Sequence, residues 1–442
     1  MGRGRRMTVA DEERRAPAAA QVGAPSPRLG MALVANALLR IAGSSAGALV
    51  TFYLASLAAE GRVASAVLLG WLGVVFNGAE LVAALPIGVL ADRFTPRLVL
   101  VVGGVVGAVA VLAFGLSESV AVFYVARALQ GCVAATAGPP LLAFLTDATE
   151  HDHALRGRTM GFYELSLLGG LALGALVGGT LWDQVRDAAF VTLAVVYLVG
   201  AALFFWSTAT PRRQSASANA HTLASMLAPF RDPQLRRLAP AWLAINAIIG
   251  MWLTHVTFQL NGPRAAGQYL VGRFSASEVG QILLVYAILF AVGAIAWGYA
   301  LARVSRLRAL RISLGALALA TGALFLLNSS EGWPAWLRWS LIAGTSLLIV
   351  VESGFTPAAL AYLADIAGQT EGRGAAMGIY TLLLGLGSGI GAGIGGWLGN
   401  ALAFNGLLLG TIVLLALAFA ALGLLPAEGR AAVTANTSAN SS

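Results

Sequence analysis

The repetition of long apolar runs constrains the fold of this chain more than any other feature. Crossing the roughly 30 Å hydrocarbon core of a bilayer takes an α-helix of about 20 apolar residues, and such runs recur between short polar breaks. A membrane window predicts twelve spans, at residues 32–57, 66–90, 98–116, 120–145, 161–181, 189–208, 238–260, 279–301, 312–327, 336–363, 375–399 and 405–425. With 58% hydrophobic and 11% charged residues, the composition excludes an ordinary soluble domain. We therefore expect an all-α integral membrane protein.

A polar stretch divides the spans into two sets of six. It runs from residue 210 to 237 and contains serines, several arginines and two prolines, a composition typical of a linker. We predict a six-helix bundle over 31–209 and a second over 238–426. Polar segments at 1–30 and 427–442 are predicted to be disordered tails.

The arginines predict how the chain is oriented. All 28 basic residues are arginine, and placing the N-terminus in the cytoplasm puts 21 of them inside. Five fall outside, namely Arg62, Arg186, Arg264, Arg273 and Arg338. Since cytoplasmic loops of membrane proteins are enriched in basic residues, both termini are expected in the cytoplasm. The membrane is expected to be the inner membrane of a bacterium, because arginine without lysine is typical of a GC-rich bacterial genome.

The sequence lacks the residues that several functional classes require. A phosphate-binding loop needs a lysine, and the sequence has none, so a nucleotide-driven transporter is not expected. His151 and His153 flank Asp152 in a polar break, but no cysteine accompanies them, and we interpret them as a solvated loop. We expect no metal, no cofactor and no nucleic-acid partner. The expected partners are the lipid bilayer, a small-molecule substrate and protons, and the protein is expected to be a monomer.

The two sets of spans carry an internal repeat. Arg156, Gly157, Met160 and Gly161 recur 217 residues later as Arg373, Gly374, Met377 and Gly378. The same shift relates the glycines of spans five and eleven, which are Gly170, Gly174, Gly178 and Gly179 in one and Gly387, Gly391, Gly395 and Gly396 in the other. Small residues four apart let helix backbones approach closely, so both spans are predicted to pack tightly on a neighbour. The halves are interpreted as duplicated.

Ionisable residues inside the spans are the candidates for chemistry. Such a residue at mid-bilayer costs about 2.5 to 3.5 kcal/mol on insertion scales, so it normally faces a bundle interior or a wet cavity. The spans contain Arg40, Glu80, Arg127, Glu164, His255 and Glu352. Spans three, six, nine and twelve contain none.

Glu80 and Glu352 are the deepest carboxylates by their spacing from the helix ends. Glu80 lies twelve residues before Asp92, and Glu352 thirteen before Asp365, or roughly 18 to 20 Å at 1.5 Å per residue. A buried carboxylate whose cavity alternately wets and closes can bind and release a proton. The alternative is a permanent ion pair with Arg40 or Arg127. Glu164 is a weaker candidate, because it lies near a span end and can snorkel.

Three pairs of polar residues share a helix face and are candidates for lining a substrate cavity. They are Asn36 with Arg40, Asn77 with Glu80, and His255 with Gln259. For His255, the alternative is a structural histidine held by a hydrogen bond.

Three motifs resemble those of the major facilitator superfamily. Gly88, Asp92, Arg93 and Arg97 resemble its loop signature after span two, and Arg127, Gln130 and Gly131 resemble its Arg-x-x-Gln-Gly element. The span-five glycines resemble the signature of its drug and metabolite antiporters, with Ala175 in place of a proline. The resemblance implies two pseudo-symmetric six-helix bundles with the substrate between them. It further implies a proton-coupling role for Arg127. A gating role is expected for Asp92 and Arg93, because a carboxylate near the start of span eleven would favour its helix dipole and loop arginines could pair with acids of the other half.

These observations predict a secondary transporter rather than an enzyme. The leading expectation is proton-coupled efflux of lipophilic or cationic compounds. One alternative is an uptake permease for a small, possibly anionic, metabolite, with Arg40 and Arg127 as anion clamps. The other is a membrane sensor or scaffold that does not transport.

Overall fold

A computed structural model describes residues 27–62, 64–136, 138–149, 152–208, 233–367 and 373–425. These residues form helices and turns, with no strand among them. The helices are α1 Pro27–Ala59, α2 Ala66–Arg93, α3 Pro96–Gly115, α4 Val120–Thr136, α5 Pro139–Ala148, α6 His153–Val185, α7 Ala188–Ser207, α8 Pro233–Asn261, α9 Ala276–Ala300, α10 Arg306–Asn328, α11 Ala335–Glu352, α12 Phe355–Ala367, α13 Arg373–Leu402 and α14 Phe404–Gly423.

The helices follow the predicted spans closely. Eleven stretches of the described residues are long and apolar enough to cross a membrane. The remaining predicted span, 161–181, lies inside the 33-residue helix α6. Helix α1 begins at Pro27 and α8 at Pro233, a few residues inside the segments predicted as tail and linker. Proline is favoured in the first helical turn, where its missing N–H would have no partner in any case.

Spans four and ten differ from the prediction, because each is two helices rather than one. Span four breaks between α4 and α5, just before Pro139 and Pro140, and span ten breaks at Ser353 and Gly354. In the second break, the carbonyl of Val351 accepts hydrogen bonds from Trp297 Nε1 at 2.9 Å and Ser313 Oγ at 3.3 Å. Breaks in the matching span of each half agree with the duplicated fold.

The two halves, α1–α7 and α8–α14, repeat the same packing. Helix α6 packs along α1 in its own half and along α9 in the other half. Helix α13 packs along α8 in its own half and along α2 in the other. The helices that were matched by the sequence repeat thus occupy equivalent places.

Among the described residues, the apolar core joins the two halves at one end of the molecule only. We call this the closed end; it carries the turns at 60–62, 116–119, 186–187, 262–275 and 329–334. There, one buried cluster contains Phe52, Leu72 and Phe190 of the first half together with Leu260, Val271 and Phe404 of the second. At the opposite end, which we call the open end, the buried clusters lie within single halves, one around Leu141 and Phe204 and the other around Leu310 and Leu363. The halves therefore meet at the closed end.

Candidate functional site

Glu80 faces the interior of the bundle. On an α-helix, residues nine apart point in opposite directions, and Trp71, nine residues before Glu80, is 48% exposed on the outer face of α2. Val82 lies on that outer face too and is 75% exposed. The side of α2 that carries Glu80 is turned toward α4 and α13, the helices along which α2 packs.

Among the described residues, a cation lies near Glu80 but forms no ion pair with it. Gly131 of α4 lies directly against the backbone of Phe76 and Glu80, so α2 and α4 touch at this level. Arg40 of α1 is close enough for its charge to act on Glu80. Ion pairs of Arg62 with Glu60 and Glu118 lie instead at the closed end. A permanent ion pair of Glu80 with Arg40 or Arg127 is therefore not formed in this structure.

Arg127 is held inside the first half. It is 8% exposed, its Nη1 donates to Oε1 of Gln130 at 2.8 Å, and its guanidinium lies 5.2 Å from the ring centre of Phe76. Its Nε is buried without a hydrogen-bond partner among the described residues. The residues of the predicted Arg-x-x-Gln-Gly element therefore act together: Gln130 orients the arginine, and Gly131 lets α2 approach α4.

Asn36 and Arg40 form a polar seam with α6. Asn36 is 1% exposed and its amide donates to Ser166 Oγ, while Arg40 donates to the hydroxyl of Tyr163 at 3.4 Å. Ser166 in turn donates to the carbonyl of Tyr163 at 2.7 Å. The structure thus brings the predicted pair together with two residues of span five that the sequence had not singled out. Their spacing of three within an apolar span was the available signal.

Glu352 meets a partner in its own half. It is the last residue of α11, directly before the break in span ten, and its Oε1 accepts from the hydroxyl of Tyr286 of α9 at 3.3 Å. Tyr286 lies nine residues before Ile295, which is 65% exposed, so the tyrosine is on the opposite face of α9. Sequence reasoning missed Tyr286, because an aromatic residue in an apolar span carries no distinguishing signal.

His255 and Gln259 lie at a helix contact. His255 is fully buried and Gln259 is 4% exposed. Since a carbonyl can only accept, His255 Nε2 donates to the carbonyl of Ala392 at 2.8 Å, and Gln259 donates to that of Gly399 at 3.2 Å. Both residues fasten α8 to α13. For His255, this contact agrees with the structural alternative and not with a position lining a cavity.

Asn77 lies where the two halves meet. Its amide donates to the carbonyl of Gly73 one turn earlier at 2.8 Å, and its Cβ faces Gly389 of α13. It shares this contact with Leu81, which faces Gly385. Glu80 is therefore next to the contact between α2 and α13.

The glycines of spans five and eleven make two kinds of contact. Gly170, Gly174 and Gly178 lie against α1, and Gly387, Gly391 and Gly395 lie against α8, all within one half. Gly179 lies instead against Ala276 of α9, and Gly396 against Ala66 and Gly70 of α2, both in the other half. Each helix thus uses one glycine face inside its half and one across the halves.

The loop motif is at the open end and is described in part. A Cβ on Gly88 would meet open space, and the guanidinium of Arg97 lies 3.6 Å from the ring centre of Phe205. The side chains of Asp92, Arg93 and Glu164 lie outside the described residues. The gating role of Asp92 and Arg93 stays a prediction.

One ionisable residue that sequence reasoning did not select lies at the closed end. Asp183, in the last turn of α6, binds the first turn of α9 in the other half. The only signal in the sequence was its position four residues, or about one helical turn, after Gly179 of the glycine pattern.

Comparison with known proteins agrees with this architecture. Multidrug resistance protein 1 of Bacillus subtilis (strain 168) is 25% identical over 320 residues, which cover 70% of this chain and 75% of that protein. Inner membrane transport protein YajR of Escherichia coli (strain K12) is 25% identical over 356 residues, covering 80% and 74%. The crystal structure of the nucleoside transporter NupG (D323A mutant) superposes with a TM-score of 0.73 at 10% identity, covering 90% of this chain and 98% of that one.

The sequence profile described as Major Facilitator Superfamily matches residues 32–337 and 265–440, which together span nearly the whole chain. Twelve predicted spans, duplicated halves and a shared fold lead to the same conclusion: this chain is a multi-pass membrane transporter of small molecules and belongs to the Major Facilitator Superfamily.

Proposed function

We propose that the protein exports small lipophilic or cationic compounds in exchange for protons, by alternating access between its two halves. The observation that carries this proposal is the position of Glu80, which faces the bundle interior without an ion pair among the described residues. A carboxylate without a fixed counter-charge can change its protonation when the cavity opens to water and closes again. A carboxylate locked to an arginine would resist that change.

The second half supplies a different carboxylate environment. Glu352 accepts a hydrogen bond from the neutral hydroxyl of Tyr286 instead of pairing with an arginine. We propose it as a second coupling group, in addition to Glu80. The name of the Bacillus relative supports a drug-like substrate.

The distribution of arginines supports an orientation. We propose that the open end faces the cytoplasm of a bacterial inner membrane, because Arg97, Arg156, Arg158 and Arg303 lie at that end. In this orientation, the end at which the buried clusters stay within single halves faces the cytoplasm, the side from which an exporter takes its substrate.

Arg127 supports coupling better than anion binding. An anion clamp needs a guanidinium that a substrate can reach, whereas Arg127 is occupied by Gln130 and covered by Phe76. We therefore propose that Arg127 holds α2 in place beside Glu80 through its contact with Phe76, while the charge that acts on Glu80 is that of Arg40.

Transport in proteoliposomes tests the proposal. Purified protein is reconstituted, a pH gradient is imposed, and movement of ethidium, a lipophilic cation, is followed by its fluorescence. The unmodified protein is expected to move ethidium against the proton gradient. Glu80→Gln removes the titrating group at nearly constant size, so it is expected to abolish transport driven by the gradient while ethidium still binds.

Glu331→Gln is the matched control, because Glu331 is exposed in a turn at the closed end. If Glu80→Gln transports ethidium under the pH gradient at the same rate as Glu331→Gln, the coupling role of Glu80 is refuted. Movement of benzoate instead of ethidium would favour the anionic uptake permease.

A further inference from the structure

The first turn of α9 is capped jointly by both halves of the protein. An α-helix begins with N–H groups that have no partner within the helix. In α9, two of them are met locally, since Ser275 N donates to Glu278 Oε2 at 2.8 Å and Glu278 N donates to Ser275 Oγ at 3.3 Å. The N–H groups of Ala276 and Ser277 between them are left for another partner.

Asp183 of the other half supplies that partner. Ala276 N donates to Oδ1 of Asp183 at 3.3 Å, Ser277 N donates to Oδ2 at 2.7 Å, and Ser277 Oγ donates to Oδ2 at 2.6 Å. A carboxylate is the group that a helix N-terminus stabilises best, because the N–H groups carry partial positive charge. These are charge-assisted hydrogen bonds, which are stronger than neutral ones, and the two that Ser277 donates are also short.

The helix backbones must be close for these bonds to form. Gly179, one turn before Asp183, lies against the carbonyl of Ala276, and a Cβ there would overlap it. Gly280, three residues after Ser277, lies against Ala175 and Leu176 in the same way, with 2.7 Å from its built Cβ to the carbonyl oxygen of Ala175. The two glycines therefore set the distance that the carboxylate spans.

We infer that Asp183 is a positioning residue for transport, which holds the closed end shut by capping α9 across the two halves. We call this contact of Asp183 with Ala276 and Ser277 the latch. This inference rests on alternating access as proposed above. When the halves separate at the closed end, Ala276 and Ser277 lose their partner, while the capping box of Ser275 and Glu278 keeps the helix intact. Opening therefore exchanges one specific set of bonds for water, without unfolding α9.

Spin labels on both sides of the closed end test this inference. Ser119→Cys in the first half and Ser329→Cys in the second are exposed there, and Cys132→Ser removes the single native cysteine. The distance between the labels is measured by double electron-electron resonance in nanodiscs. Asp183→Ala is expected to raise the population with the longer distance about tenfold, as for the loss of a hydrogen bond to a charged group.

Two further variants keep the test decisive. Asp183→Asn retains an acceptor but loses the charge, so its shift is expected to lie between those of Asp183→Ala and the unmodified protein. Asp187→Asn is the matched control, since Asp187 is an exposed acid at the same end and caps no helix through its side chain. Should Asp183→Ala and Asp183→Asn both give the distances of Asp187→Asn, the latch is refuted.

The outcome is independent of the coupling role of Glu80. Label distances report the closed end whether or not protons drive transport, so a failed latch and a failed coupling scheme are distinguishable. A purely local role of Asp183 in α6 stability would lower the melting temperature without lengthening the label distance, and this result also refutes the latch.

Discussion

The two contacts that join the halves share their backbone geometry and differ in their chemistry. In the contact of α6 with α9, Gly179 lies against Ala276, and in that of α13 with α2, Gly396 lies against Ala66. Asp183 follows Gly179 by four residues and binds α9. At the same repeat position after Gly396 stands Asn400, which is exposed and makes no side-chain hydrogen bond within the described residues.

The difference indicates how the duplicated halves have diverged. Within the part of the chain that the structure describes, no carboxylate of the other half binds the first turn of α2. This helix has Ser65 as its N-cap, with Leu68 N donating to Ser65 Oγ at 3.2 Å. Helix α2 instead carries Asn77 and Glu80 further along the contact with α13. One contact thus fastens the closed end, and the other brings the proposed proton site to the junction of the halves.

Bulky residues at the two glycines that contact the other half, Gly179 and Gly396, are expected to have the largest effect on transport. Gly179→Val and Gly396→Val place a side chain against backbone that cannot move aside, a clash that typically costs about 1 to 3 kcal/mol. We expect both to hold the closed end apart and to reduce ethidium transport severely, with Gly179→Val the more severe because its Cβ would overlap the carbonyl of Ala276.

Gly78→Val is the control for this pair, since Gly78 is exposed on α2 and a Cβ there would meet open space. Initial rates in proteoliposomes provide the measurement. Equal rates for Gly179→Val and Gly78→Val would show that close approach of α6 and α9 is not needed for transport.

A carboxylate at the second contact gives a smaller effect of opposite sign. Asn400→Asp restores at the start of α2 the charge that Asp183 provides at the start of α9. A carboxylate near a helix N-terminus is worth about 0.3 to 1 kcal/mol. We therefore expect the ratio of molecules with the closed end shut to molecules with it open to rise roughly two- to fivefold, measured by the same spin-label distance. Asn400→Gln is the neutral control. An unchanged distance for Asn400→Asp would mean that the two contacts are not equivalent.

Most of the fold could be predicted from the sequence, because membrane spans need apolar runs of a fixed length. The break in span four carried a signal in Pro139 and Pro140, which a hydropathy window does not read. The break in span ten could not be predicted, since Ser353 and Gly354 interrupt no apolar run and their effect depends on Trp297 and Ser313 of neighbouring helices. Hydropathy measures the run and not the path of the backbone within it.

The candidate site was predictable in its charged residues but not in their partners. Glu80 and Arg127 stand out because ionisable residues are rare in apolar spans. Periodicity alone placed His255 beside Gln259 on one helix face but could not show that α13 covers that face. Asp183 was overlooked, since an acid at a helix end is common, and its partner lies in sequence almost a hundred residues away.

The proposed transport requires that the two halves rock, so that opening one end closes the other. Labels at Arg158→Cys and Arg308→Cys, both exposed at the open end, complement the closed-end pair, and both distances are measured for the unmodified protein, Asp183→Ala and Gly179→Val. Rigid halves predict that each variant lengthens the closed-end distance and shortens the open-end distance together. An open-end distance that stays constant, or lengthens with the other, would contradict the account.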